Sequence, residues 1–492
     1  MNWLRWLVLI LSVCAVGLAV WRLEGARAGL EIRHDVVGET PVTVYRTAGA
    51  DPAPAVVIAH GFAGSRQLME AFALTLARAG YVAVSFDFEG HGRNPVPMSG
   101  DVTRIDGTTQ LLMAETGRVT DYALSLQGVD GRVALLGHSM ASDVIVRQTL
   151  ADPRVSATVA ISMFSQAVSA SEPRRLIAIS GAWEAALRAE ALRVLRLVDP
   201  SAEEGETVAS GDVTRRAVVA PHVEHVGVLY AATSLQAARD WLDESYGRTS
   251  SAALATTGGW IALLLAGLVG LAWPLSRLAP KGLAQPAPLP RRDYWMALGA
   301  ASIVTPLVLW PVDLKILPVL VADYLALHLL VFGGLAGGVL WLRGYRPGGW
   351  HPWVGLALLI YGIAVFGGAL DRYVASFMPH AGRMVIILAI ALGAVAYMLA
   401  DTWLSGGGTA ALWRRIVAKL GFFVSLAIAV ALDLEGLFFL LIILPVIVLY
   451  FVVFGTMGAW LGRRTGAVGS VGVALGLILA WSLGVSFPMF AL

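Results

Sequence analysis

A serine between small residues is the first candidate for chemistry in this sequence. Ser139 lies in Gly137–Ala141 (GHSMA), a G-x-S-x-G pattern in which alanine takes the place of the last glycine. The apolar segment Arg132–Leu136 precedes the pattern, and Met140–Leu150, with helical spacing, follows it. A serine on so sharp a strand-to-helix turn needs small neighbours, and the turn exposes its hydroxyl. The pattern therefore predicts Ser139 as the nucleophile of a covalent reaction.

Strands and helices alternate around this serine. Short continuous apolar segments are typical of strands buried on both faces of a parallel sheet. Such strands are predicted at Ala55–Ala59, Tyr81–Phe88, Arg132–Leu136, Ala157–Ile161, Leu176–Ser180 and Arg216–Ala220. Helices are predicted at Arg66–Ala79, Thr109–Leu126, Met140–Leu150, Ala182–Leu197 and Ser234–Tyr246, and an antiparallel edge pair at Glu31–Val37 and Pro41–Tyr45. The alternation predicts a doubly wound, mostly parallel α/β sheet, whose ligands bind beyond the carboxyl ends of its strands.

A second informative segment, His60-Gly61-Phe62, follows the first parallel strand. With the serine turn and the alternation of elements, it makes Val36–Tyr246 resemble the α/β-hydrolase fold. The resemblance implies that the backbone N–H groups of Phe62 and Met140 form an oxyanion hole. Each such donor contributes about 3 kcal/mol of transition-state stabilisation. His60 itself is interpreted as a residue that orients the loop.

The resemblance also implies an acid and then a histidine after the serine, in that chain order. Glu184 follows the strand Leu176–Ser180 by a few residues, where the fold places its acid, although aspartate is commoner there. Asp152 and Glu172 are weaker alternatives, and Asp143 lies too close to the serine on the same helix.

Two histidines, His222 and His225, follow the last parallel strand and compete for the role of base. In this fold the base opens a loop with a small residue soon after it, and Gly227 satisfies this for His225. We therefore expect His225 to take the proton from Ser139 while Glu184 holds the imidazole tautomer. His222 remains the alternative.

The segment Asp87–Arg93 (DFEGHGR) resembles the D-x-x-G-x-G loop of the same fold. There it is a structural turn, so His91 is expected to be non-catalytic. Only a short connection follows the strand Ala157–Ile161, so no cap insertion is expected. The active site should be open unless another part of the chain covers it.

The composition indicates that much of the chain does not face water. Of its 492 residues 57% are hydrophobic and 14% charged, whereas a soluble domain has about 25% charged residues. Eight apolar runs long enough for a bilayer follow the α/β segment, at Thr257–Leu275, Tyr294–Trp310, Ile316–Leu342, Trp353–Leu370, Met384–Leu404, Ile416–Leu432, Gly436–Leu461 and Val468–Phe487. We predict a transmembrane anchor or signal segment at residues 1–23, an α/β-hydrolase domain at 24–250 and a bundle of about eight transmembrane helices at 251–492.

The first segment, Trp6–Val20, is either a retained anchor or a signal peptide cut after Ala26-Arg27-Ala28. Either interpretation puts the hydrolase domain on the far side of the membrane. Alternating topology then assigns most loop arginines and lysines to the cytoplasm, as membrane proteins prefer. These are Arg5, Arg277, Lys281, Arg291, Arg292, Arg343, Arg346, Arg414, Arg415, Lys419, Arg463 and Arg464. We expect an integral protein of a bacterial inner membrane with a periplasmic hydrolase domain.

These features predict a membrane-anchored serine hydrolase that cleaves an amphiphilic ester or thioester, with the lipid bilayer as its partner. An acyltransferase with the same triad, and a transporter with a non-catalytic hydrolase-like domain, are the alternatives. The net charge of +2 argues against nucleic acid, and the single cysteine, Cys14, excludes an intramolecular disulfide or a cysteine-metal cluster. No cofactor or metal is expected. Asp323 and His328 fall in one apolar run and are interpreted as packing or boundary residues, with a functional role as the alternative.

Overall fold

The computed structural model describes residues 2–49, 51–101, 105–282, 284–346 and 348–491. A nine-stranded sheet has the order β1-β2-β4-β3-β5-β6-β7-β9-β8. The six central strands are parallel, while β1, β2 and β8 pair antiparallel at the edges. The strands are β1 (Leu30–Val37), β2 (Thr40–Thr47), β3 (Ala53–Ala59), β4 (Val82–Phe86), β5 (Val129–His138), β6 (Val155–Ile161), β7 (Arg175–Gly181), β8 (Thr207–Ser210) and β9 (Val213–Ala220). The predicted α/β class and parallel sheet are confirmed.

Helices cover both faces of this sheet because its central strands are apolar on both sides. In β3, Val56 and Ile58 pack into the core shared with α2 (Glu70–Arg78) and α6 (Ala232–Tyr246). Ala55 and Val57 point the other way, toward α3 (Gln110–Ser125) and α4 (Met140–Ala151). A third core lies beneath α5 (Ala185–Arg196). The edge strand β8 was not predicted, because only one of its four residues is buried and it lacks an apolar pattern.

The rest of the chain is helical. A first helix, α1 (Asn2–Gly25), precedes the sheet, and the helices after it are α7 (Gly258–Ser276), α8 (Arg291–Leu309), α9 (Ala322–Leu342), α10 (Pro352–Ile360), α11 (Gly367–Tyr373), α12 (Ala381–Leu404), α13 (Leu412–Leu432), α14 (Leu434–Leu437), α15 (Phe439–Tyr450), α16 (Thr456–Thr465) and α17 (Val468–Ser486). Short π-helical segments join α10 to α11 and α15 to α16. The most buried of the apolar helices, α17, packs against α12 at the centre of the bundle.

Within the described residues, eight helices are long and apolar enough to cross a membrane, one of them near the N-terminus. The predicted run Tyr294–Trp310 is not among them. Its helix, α8, begins three residues earlier, so that Arg291, Arg292 and Asp293 occupy the first turn and shorten the apolar stretch. It still packs between α9 and α13.

The carboxyl edge of the sheet lies against the ends of the bundle helices. The loop after β4 contacts the bundle in two places. Arg93 Nη2 forms an ion pair with Asp371 Oδ2 at 2.5 Å, and Arg383 Nη2 donates to the Gly90 carbonyl at 2.8 Å. The tail beyond α17 continues the contact as a backbone bridge, in which Met98 N–H donates to Met489 O at 2.8 Å and Ala491 N–H to Met98 O at 2.7 Å. The strand ends, where the sequence predicts the site, therefore face the bundle.

Candidate active site

Ser139 occupies a strained backbone turn between β5 and α4. Its φ is 54° and its ψ −118°, a conformation that L-residues rarely adopt and that is retained at functional sites. The neighbouring backbone is tight: a Cβ on Gly137 would come 2.8 Å from the Ala141 carbonyl oxygen. Ala141 itself is buried without difficulty, so the methyl group that departs from the glycine pattern is accommodated.

The three side chains expected to form a triad lie in one hydrogen-bonded chain. His225 Nε2 is 2.8 Å from Ser139 Oγ, and His225 Nδ1 is 2.5 Å from Glu184 Oε1. The loops after β7 and β9 that carry the acid and the base are tied together, since Trp183 N–H donates to the Val223 carbonyl at 3.1 Å. The arrangement can move a proton from a serine hydroxyl to an imidazole whose other nitrogen donates to a carboxylate.

The second oxygen of Glu184 is held by two donors that the sequence did not suggest. Its Oε2 accepts from the Gly181 N–H at 2.5 Å and from the Ser162 hydroxyl at 2.9 Å. Burial acts to raise the pKa of Glu184, but the hydrogen bonds from His225, Gly181 and Ser162 together hold it below its ordinary value. The carboxylate is therefore ionised at neutral pH. Ser162 directly follows β6, and this position at a strand's carboxyl end is the signal that could have found it.

His138, which directly precedes Ser139, holds the loop that carries His225 through a hydrogen bond. Its Nε2–H donates to the His225 carbonyl at 2.9 Å, and the two rings lie 4.7 Å apart. Burial, together with the neighbouring His225, lowers the pKa of His138 to about 3, so that this ring stays neutral. In the G-x-S-x-G pattern this residue occupies only the variable position before the serine.

The expected oxyanion donors lie on either side of Ser139. Met140 is the first residue of α4, where the backbone N–H has no partner within the helix. Gly61 brings the loop after β3 close, since a Cβ there would be 2.9 Å from Ser139 Cβ and 3.0 Å from the His138 carbonyl oxygen. The backbone of Phe62 follows directly, and its ring packs against Phe439 of α15 at 5.5 Å between centroids.

His60 holds the loop after β3 to the loop after β4. Its Nδ1–H donates to the Gly61 carbonyl at 2.8 Å, and its Nε2 accepts from the Phe88 N–H at 3.1 Å. The ring is fully buried, and burial lowers its pKa. The His60 ring thus links the two loops, and its orienting role stays a prediction.

The loop Asp87–Arg93 is organised around buried carboxylates. Asp87 accepts from the backbone N–H of Arg66 and from its guanidinium, both at 2.8 Å. Glu115 of α3 accepts from the Glu89 N–H and from the Asn94 amide, both at 2.9 Å. Burial raises the pKa of Glu115 to about 7, although hydrogen bonds from the Thr40 hydroxyl and the Glu89 N–H oppose the shift.

The remaining candidates lie apart from the serine. His222 is exposed on a left-handed turn, with φ 59°. Asp143 pairs with Arg147 at 2.7 Å, and Asp152 pairs with its neighbour Arg154. His91 is buried and its Nδ1–H donates to the Glu89 carbonyl at 2.9 Å. In the described part of the chain, no group of three or more His, Cys, Asp or Glu side chains could hold a metal ion.

The two polar residues singled out in the bundle, Asp323 and His328, have local partners. Asp323 accepts from the Leu317 N–H at 3.0 Å, just before α9. His328 is buried and lies 3.0 Å from the Ser425 hydroxyl. The two residues do not contact each other, in keeping with packing and boundary roles.

Comparisons with known proteins agree with this architecture. A family model described as "Serine aminopeptidase, S33" matches residues 50–241. The chain thus combines an α/β sheet that matches a hydrolase family model with a helical part that contains several apolar helices.

Two solved structures each align with 44% of the chain. A structure described as a "predicted CIB-like hydrolase" from Thermoplasma acidophilum is 15% identical, covering 44% of this chain and 98% of its own, with a TM-score of 0.34. A dienelactone hydrolase from Anabaena variabilis is 18% identical with the same coverage and a TM-score of 0.33. Among curated proteins, the probable 4-amino-4-deoxy-L-arabinose-phosphoundecaprenol flippase subunit ArnE of Escherichia fergusonii is 28% identical over 115 residues, which are 23% of this chain and 98% of that protein.

Proposed function

We propose that this protein is a membrane-anchored serine hydrolase that cleaves carboxylic ester or thioester bonds of amphiphilic substrates. The observation that carries the proposal is the chain of hydrogen bonds from Ser139 through His225 to Glu184, at 2.8 and 2.5 Å. Membership of residues 50–241 in a hydrolase family model supports the general class of reaction.

In the proposed reaction, Ser139 Oγ attacks the carbonyl carbon of the substrate as its proton passes to His225 Nε2. The resulting oxyanion faces the N–H groups of Phe62 and Met140, which stabilise the developing charge. The imidazolium, held by Glu184, then donates the proton to the departing alkoxide or thiolate. An acyl-serine remains. Water attacks the acyl carbon and gives a proton to His225, and collapse of the second intermediate releases the acid and restores the serine hydroxyl.

The position of the site supports an amphiphilic substrate. The strand ends that carry the triad face the bundle, and Phe62 beside the serine contacts Phe439 at the start of α15. No cap domain intervenes, because residues 162–174 form only a short connection between β6 and β7. A substrate that partitions into the membrane surface would meet this edge of the sheet.

The distribution of basic residues supports an extracytoplasmic hydrolase. In the proposed topology, the helix ends opposite the hydrolase carry Arg277, Arg343, Arg346, Arg414 and Arg463. Because cytoplasmic loops hold the excess of Lys and Arg in membrane proteins, the opposite end, where the hydrolase lies, is assigned to the periplasm of a bacterial inner membrane.

A fluorophosphonate probe tests the proposal directly. The full-length protein in detergent is expected to be labelled, Ser139→Ala to lose labelling, and Ser125→Ala, an exposed serine at the end of α3, to keep it. Absence of labelling in the wild-type protein would contradict the proposal. If the protein is labelled but releases acid only when an acceptor alcohol is added, the reaction is acyl transfer.

A second candidate, lipid translocation by the bundle, is favoured by the similarity to the flippase subunit over 115 residues. Reconstituted vesicles distinguish the two. Movement of a fluorescent lipid between leaflets that persists in Ser139→Ala, with no ester cleavage by the wild-type protein, would support translocation.

A further inference from the structure

Three large apolar side chains are exposed at neighbouring strand ends of the hydrolase. Phe164 follows β6, Trp183 follows β7 and Val226 follows β9, and they are 58%, 68% and 46% exposed. Large apolar groups clustered in one place on a soluble surface mark an interaction site more often than isolated ones do. We refer to these three residues as the apolar rim.

The apolar rim surrounds the triad. Val226 directly follows His225, and Trp183 directly precedes Glu184. Phe164 is joined to the serine turn through one intermediary: its N–H donates to the Ser142 hydroxyl at 3.2 Å, and that hydroxyl donates to the Ser139 carbonyl at 2.6 Å. A molecule that approaches the serine from this side must pass the rim.

The same edge of the sheet is attached to the bundle on both flanks of the rim. After β3, the Ser65 hydroxyl accepts from the Ser376 N–H at 3.1 Å. After β9, Tyr230 packs so closely on the start of α7 that a Cβ on Gly258 would lie 2.7 Å from its Cβ. The contacts on the bundle side are all at ends of membrane helices, where the bilayer surface lies. The rim therefore lies on the edge of the sheet that is attached to these helix ends.

A bilayer surface is a favourable environment for the exposed rings of Trp183 and Phe164. Aromatic side chains concentrate at membrane–water interfaces, where an apolar body meets headgroups. Burial of apolar side chains in the leaflet also removes the cost of their exposure to water.

We propose that the apolar rim inserts into the outer leaflet of the bilayer that holds the bundle, and that the substrate is a membrane lipid ester that enters the site from that leaflet. The proposal rests on the proposed function for the identity of the reaction. Its membrane insertion is independent of catalysis and is tested separately.

The insertion is measured with a dye on a single cysteine. Cys14→Ser removes the native thiol, and Phe164→Cys then carries an environment-sensitive fluorophore in vesicles of phosphatidylethanolamine and phosphatidylglycerol. Leu150→Cys is the matched control, because Leu150 is a comparably exposed apolar residue at the end of α4, on the opposite edge of the sheet. Headgroup-level spin-labelled lipids are expected to quench the dye at position 164 and not at 150. Equal quenching at the two positions would overturn the proposal, whether or not the protein is active.

The substrate route is measured as a ratio of two activities. The double variant Phe164→Ser, Trp183→Ser is compared with the wild-type protein on a fluorogenic lipid ester in vesicles and on soluble p-nitrophenyl acetate. We expect the ratio of lipid to soluble turnover to fall at least about tenfold, and to stay unchanged in Leu150→Ser. An unchanged ratio in the double variant overturns the leaflet route. If Ser139→Ala is as active as the wild-type protein on both esters, the proposed function fails instead.

Discussion

The contacts of Glu184 predict the consequence of replacing its carboxylate by an amide. In Glu184→Gln, one terminal atom must lie where Oε2 now accepts from the Gly181 N–H at 2.5 Å and from the Ser162 hydroxyl at 2.9 Å. Only the amide oxygen can occupy that position, because an NH₂ group there would meet the Gly181 N–H donor to donor. The NH₂ group is therefore turned toward His225.

This orientation forces the wrong tautomer of the base. An NH₂ group facing His225 Nδ1 requires that nitrogen to accept, so the ring proton moves to Nε2, 2.8 Å from Ser139 Oγ. A protonated Nε2 cannot take the proton of the serine. The imidazolium that forms in the reaction also loses its carboxylate partner. Substitutions of this kind in serine hydrolases reduce kcat about 10⁴-fold, equivalent to about 5.4 kcal/mol in the activation barrier.

The assay is kcat for a p-nitrophenyl ester at pH 7 in detergent, where the low pKa of Glu184 keeps the wild-type carboxylate ionised. The matched control is Glu190→Gln on the following helix, a buried glutamate that pairs with Arg193 at 2.7 Å. It removes the same charge without facing the histidine, and kcat should change little. Retention of more than about a tenth of wild-type kcat in Glu184→Gln would refute the assignment of this acid.

Three further outcomes are expected. His225→Ala should abolish ester hydrolysis while His222→Ala, on an exposed turn, leaves kcat nearly intact; the reverse pattern would assign the base to the other histidine. Gly61→Ala should lower kcat about 10²–10³-fold, because its Cβ would lie 2.9 Å from the Cβ of the nucleophile and displace an oxyanion donor, and a kcat within about twofold of wild type would argue against that donor. Glu115→Gln should remove a pH dependence of stability. Because the pKa of Glu115 is raised to about 7 in the folded state, that state binds more protons than the unfolded state between pH 4.5 and 7. As pH rises through this range, the free energy of unfolding of the wild-type protein should therefore fall by up to about 3 kcal/mol relative to that of the variant. Denaturant titration at several pH values measures this, and parallel curves for the two proteins would contradict it.

The sequence was sufficient to predict which strand ends should carry the chemistry. A parallel sheet brings the carboxyl ends of its strands to one edge, so residues far apart in the chain, such as Ser139 and His225, could be paired before any geometry was known. The catalytic roles assigned to them stay predictions. The choice between His222 and His225 depended on a small residue two positions further on.

The contacts that support the triad residues could not be predicted from the sequence. Ser162 and His138 act through single hydrogen bonds to Glu184 and to the His225 backbone. Their positions at strand ends mark them as candidates, but the sequence does not show which partner each one contacts. The contact of Phe62 with Phe439 joins residues nearly four hundred positions apart. The apolar pattern of each segment reflects packing within that segment. Contacts between the sheet and the apolar helices therefore leave no recognisable pattern in the sequence.

The backbone bridge between the loop after β4 and the tail beyond α17 sets an order for biogenesis. Met98 bonds to Met489 and Ala491, which leave the ribosome only after all of the helices described above. The residues of the sheet are synthesised well before α17, yet this loop receives these backbone partners only when the segment after α17 is in place. The contacts of the α/β part are thus completed only after α17 has been made.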